Sequence, residues 1–170
     1  MYNTKEDKWN AFEELAIAKL LKGQAINDRH RYIQLYVNPA FSNKFVLQLE
    51  LFQNQVNWYF YTWKSDLDRL KIYSGPLEKE MPEPTLFLEK GMISKDAFQH
   101  ILDLIKKMSI CPYIEEDWGD YRDGEIYTLT IGFKGCITNY TWHYLPDKWD
   151  GLQQIANALM ELNRKLSSLK

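Results

Sequence analysis

The residues with the greatest chemical potential lie in one short acidic stretch. Between positions 115 and 125 stand Glu115, Glu116, Asp117, Asp120, Asp123 and Glu125, with Arg122 as the only base. That is six acids against one base, while the whole chain of 170 residues carries a net charge of −2, so the remainder is slightly positive. Trp118 and Tyr121 sit inside the run. Three chemistries suit such a segment: a solvated loop, a docking loop for a cationic protein, and a carboxylate site for a metal or a hydrolysis. For docking, acids steer the partner in and rings supply the contact anchors. The spacing does not fit a calcium loop of the EF-hand type, whose ligands alternate and end in a Glu at its twelfth position.

Elsewhere the candidates are sparse. His30, His100 and His143 have no second His or Cys at ligand spacing. His100 shares a helix face with Asp96 and Asp103, but one imidazole and two carboxylates make a poor zinc set. Solvated polar residues opposite an apolar stripe account for that trio more simply. Cys111 and Cys136 show no paired spacing. Cys136, in a tight turn, would need a neighbouring base or helix N-terminus to act as a nucleophile. The eight glycines are scattered and form no phosphate loop. The expectation is a protein without catalysis, metal or cofactor.

The elements that must carry these residues read clearly in places. Residues 5–22 repeat Trp9, Phe12, Ala16 and Leu20 at helical spacing, and Gly23 ends the run. Strands follow at 31–37, 44–52 and 56–64, the last two joined by a polar turn at Gln53-Asn54-Gln55. The second places Leu47, Leu49 and Leu51 on one face and Gln48 and Glu50 on the other. The third carries rings on both faces, which predicts a strand covered twice. Residues 65–70 suggest a helical turn and 85–88 a short strand. Ser94 is the expected cap of a helix over 94–108. A short strand at 110–114, a hairpin of 126–133 with 137–144 around Lys134-Gly135, and a helix over 147–166 capped by Asp147 complete the chain. The reading is one α+β domain over 1–170, an antiparallel sheet with helices packed on one side in an αβββ-αβββ-α order.

Composition narrows the function. A pI of about 5.9 argues against a general nucleic-acid binder, which needs a basic stripe. No apolar run approaches the ~20 residues that span a bilayer. The polar start, Met1 to Lys8, predicts no secretory leader, hence a cytoplasmic protein with reduced cysteines. Aromatic residues make up 15% of the chain, and Tyr59, Tyr61, Trp63 and Trp142 would be the lining of a ring-walled pocket for a small molecule or peptide.

The run Asp123-Gly124-Glu125-Ile126-Tyr127-Thr128-Leu129-Thr130-Ile131-Gly132, followed by Tyr140-Thr141-Trp142-His143-Tyr144-Leu145-Pro146-Asp147-Lys148-Trp149 and a helix with Leu152, Ile155 and Leu159, resembles the C-terminal part of small bacterial immunity proteins that accompany polymorphic toxins. The likeness covers about 109–162. It implies a cytosolic α+β domain that binds and blocks one cognate toxin domain without catalysis. Such proteins vary most on their binding surface, so the resemblance assigns no residue. Combined with the acidic stretch, it makes Glu115, Glu116, Asp117, Trp118, Asp120, Tyr121 and Asp123 the expected contacts, and a basic nuclease toxin the expected partner.

Overall fold

A computed structural model describes residues 2–22, 31–39, 42–78, 80–109, 124–143 and 149–168. In chain order the elements are α1 (Lys5–Lys22), β1 (Arg31–Pro39), β2 (Phe45–Phe52), β3 (Gln55–Trp63), α2 (Ser65–Ser74), β4 (Leu86–Ile93), α3 (Lys95–Lys107), β5 (Glu125–Phe133), β6 (Cys136–Trp142) and α4 (Asp150–Ser167). The strands form one antiparallel sheet in the order β4-β3-β2-β1-β5-β6. The α+β class holds, and the first helix and three strands follow the expected order. Between the expected halves stand a complete helix, α2, and a complete strand, β4. The expected strand at 110–114 and the Asp147 cap lie outside the described residues.

Turn chemistry sets the two hairpins. Gln53 and Asn54 both take positive φ (44° and 69°), and so do Lys134 and Gly135 (51° and 79°). Two consecutive left-handed residues give the turn whose twist matches the strands it joins. β1 is central, with Tyr32 through Val37 all buried, and it pairs with both β2 and β5.

Alternation then divides the side chains between two cores. On one face Ile33, Leu35, Leu47, Leu49, Trp58 and Leu129 meet Phe98 and Ile101 of α3 and Leu152, Ile155 and Leu159 of α4. On the other face Tyr36, Val46, Tyr61 and Trp63 meet Trp9, Phe12, Ala16 and Leu20 of α1 and Ile72 of α2. The helices therefore lie on both faces, not on one side as the sequence suggests. Each face carries enough apolar area to need a cover, since burying one large aliphatic or aromatic side chain stabilises by about 1.5–3 kcal/mol.

The α1 face also buries polar groups. Gln34, Gln48 and Glu50 are all buried, and Gln34 Nε2 donates to Leu21 O at 3.3 Å and to Gln48 Oε1 at 3.4 Å. Burial first, then the Glu13 charge, pushes the Tyr36 hydroxyl up to about 12.

The sheet ends in two edge strands. On β4 the side chains of Phe87, Leu88 and Met92 are exposed, Met92 by 69%, with Glu89 and Lys90 between them.

Candidate functional site

The seven expected contact residues, Glu115, Glu116, Asp117, Trp118, Asp120, Tyr121 and Asp123, lie outside the described residues. The last acid of the stretch, Glu125, is described. It opens β5 opposite Pro39, the last residue of β1, and its side chain accepts a hydrogen bond from the Tyr127 hydroxyl. Burial, reinforced by Glu125, pushes that hydroxyl up to about 12. Acidic stretch and β5 thus join at the end of the sheet where β1 finishes and β2 begins.

Of the four rings expected to line a pocket, Tyr59, Tyr61 and Trp63 share the α1 face, and Trp142 does not join them. Trp63 is fully buried on the α1 face, stacked on Trp9 at 5.8 Å between ring centroids. Trp142 is buried on the opposite face, stacked on Tyr127 at 5.4 Å. Nor do the nucleophile candidates converge. Cys136 starts β6, exposed beside the turn, whereas His143 follows the end of that strand. His143 lies over Gly124, where a Cβ would come within 2.4 Å of Nε2. Among the described residues no group of three or more His, Cys, Asp or Glu could hold a metal ion. On α3, Asp103 accepts from Gln99 and Lys106 at 2.7 and 3.2 Å, as expected of solvated polar side chains.

What the fold does assemble at that end of the sheet is a groove between α1 and α2. Its placement starts with Asp68, whose carboxylate is completely buried on the inner side of α2. Oδ2 accepts from Trp63 Nε1 at 2.9 Å and from the Thr85 N–H at 2.6 Å. Oδ1 accepts from the Thr85 hydroxyl at 2.6 Å and from Lys71 Nζ at 2.8 Å. Burial works to raise this carboxyl, but the donors from Lys71, Thr85 and Trp63 outweigh it and hold Asp68 below the ordinary carboxylate range. The far end of α2 is held by two lysines of α1. Lys5 Nζ donates to Tyr73 O at 2.7 Å and also to Gly75 O, and Lys8 Nζ reaches Leu77 O at 3.0 Å. Cations there satisfy the carbonyls that a helix C-terminus leaves open.

With its polar residue turned inward, α2 presents apolar residues outward. Leu67, Leu70 and Tyr73 are exposed, Leu70 by 68%. Beside them is a hollow of about 320 Å³ lined by Trp9 and Glu13 of α1, Pro39 and Lys44 from the sheet end, and Asp66 and Arg69 of α2. Lys44 is neutralised there by Glu13 at 2.8 Å. A shallower hollow of about 450 Å³ continues from it, lined by Asp66, Arg69, Leu70 and Tyr73. Arg69 stands at the junction, its guanidinium carbon 5.7 Å from the Trp9 ring centroid and 5.5 Å from that of Tyr73. The Tyr73 hydroxyl donates to Glu6. An exposed Tyr and an arginine laid on rings belong to the residue types enriched at protein contact surfaces, and Leu67 and Leu70 add exposed apolar area beside them. Sequence reading does not find this groove, because Trp9, Lys44 and Arg69 come from three separated segments.

Comparison with protein-family models and with curated proteins finds no match. Among the described residues no helix is long and apolar enough to cross a membrane.

Proposed function

We propose that this chain acts by stoichiometric protein–protein binding, as a cytoplasmic immunity protein that blocks a cognate toxin domain and performs no catalysis of its own. The observation that carries the binding reading is Arg69, laid between Trp9 and Tyr73 beside the exposed Leu70. That cluster borders Pro39, which pairs with Glu125, the last residue of the acidic stretch. The resemblance over 109–162 supports the immunity role, and the acidic stretch suits a positively charged toxin such as a nuclease. In this reading the acids draw the partner in and the groove supplies the close contact.

The test is a calorimetric titration with a candidate toxin domain, the C-terminal domain of any large secreted protein found to be encoded by a neighbouring gene. The double substitution Arg69→Ala/Leu70→Ala is expected to weaken binding by about 2 kcal/mol, roughly thirty-fold, as for paired anchors at an interface centre. Both residues are exposed, so the fold should survive. Unaltered affinity would remove the groove from the reading. Charge reversal at Glu116, Asp117 and Asp120 should instead slow association by about tenfold at low ionic strength, with the difference shrinking as salt is added. A salt-independent rate in that variant would remove the steering role.

A further inference from the structure

We infer that the groove between α1 and α2 takes a partner segment in which a carboxylate side chain neighbours an apolar one, with Arg69 receiving the carboxylate. The inference rests on the docking reading above and adds the chemistry of the anchor. Arg69 offers five N–H donors in one plane, a match for the two oxygens of a carboxylate. Trp9 and Tyr73 lie within 5.7 and 5.5 Å of its guanidinium carbon, so two rings hold the group in place. Among the described residues no carboxylate lies within ion-pair distance of Arg69, whereas Lys44, the other cation of the same hollow, has Glu13 at 2.8 Å. A guanidinium already laid on two rings, with no carboxylate in direct contact, therefore stands where the polar hollow passes into the Leu70 and Tyr73 shelf. An acidic residue followed by an apolar one fits both parts at once.

Asp66 lines both hollows and opposes an incoming carboxylate. It stands in the first turn of α2, where the positive end of the helix dipole already favours it. Arg69, further along the helix, has no such compensation. The two side chains therefore predict opposite signs, which makes the inference testable.

The probes are three capped peptides, acetyl-Ala-Leu-X-Phe-Ala-amide with X as Glu, Gln or Lys, titrated into the full chain. Resonance shifts of the Trp9 indole N–H and the Arg69 Nε–H give the affinities. The Glu peptide is expected to bind at least threefold more tightly than the Gln peptide, and the Lys peptide most weakly. Arg69→Gln should erase the preference for Glu over Gln, and Asp66→Asn should tighten the Glu peptide about twofold. Leu70→Ala should weaken all three alike. Equal binding of the three peptides, or a preference for Lys, overturns the carboxylate anchor but leaves the docking face standing. Absence of shifts with every peptide removes both.

Discussion

Replacing Asp68 with alanine is expected to lower the stability of the protein by about 3–5 kcal/mol, chiefly the cost of leaving its N–H donors inside the fold without their acceptor. The carboxylate is fully buried and takes donors from Trp63, Thr85 and Lys71. Without it the Trp63 indole N–H and the Thr85 N–H have no acceptor in the core, and each orphaned donor costs about 1–3 kcal/mol. Lys71 is half exposed, so water screens its share of the attraction. The effect also depends on pH. The folded carboxyl titrates below its unfolded value of about 3.9. Its stabilisation is therefore complete above that value and is lost as pH falls through the lower folded one. Urea unfolding of wild type and variant should differ most above pH 5 and converge in stronger acid. A constant gap between pH 6 and pH 2 would mean that the charge on Asp68 contributes nothing.

Phe12→Ala should cost a similar amount, about 3–5 kcal/mol, by opening a cavity in the core between α1 and the sheet. Phe12 is fully buried and leans on Trp63 with ring centroids 6.2 Å apart. The substitution also tests how the two cores are coupled. Both are built on opposite faces of the same strands, β1, β2 and β3, so neither can melt without exposing the back of the other. Tryptophan signals from the two faces, read in variants that keep only Trp63 or only Trp142, should therefore report one shared midpoint, shifted downward together. Separate midpoints for the two probes would show that the faces unfold independently.

The elements most legible in the sequence were those with regular periods. The stripe from Trp9 to Leu20 marked α1, Ser94 marked the start of α3 through its bond from Ala97 N, and the polar links at Gln53-Asn54 and Lys134-Gly135 marked the hairpins. The second core was harder to see. Gln34, Gln48 and Glu50 occupy the positions that would face water if the sheet were covered once, yet all three are buried under the α1 layer. Only the rings on both faces of β3 pointed to a double cover. α2 was half visible, because its inward residues are Asp68 and Ile72 while Leu67 and Leu70 face out, the reverse of an ordinary amphipathic pattern. β4 was seen only at its start, since an edge strand half exposed on both faces shows no clean alternation. The groove depends on residues far apart in sequence, and its central feature, a guanidinium resting on two rings, leaves no local signature.

The β4 edge carries a built-in check on polymerisation. Two identical strands that pair antiparallel about a two-fold axis normal to the sheet always set one residue against its own copy. For the eight residues Leu86–Ile93 the two registers of greatest overlap centre on Glu89 and on Lys90. Either choice sets like charges face to face, which is destabilising. The greasy side chains of Phe87, Leu88 and Met92 can thus remain at the rim while fibre growth through this strand is discouraged at its first step.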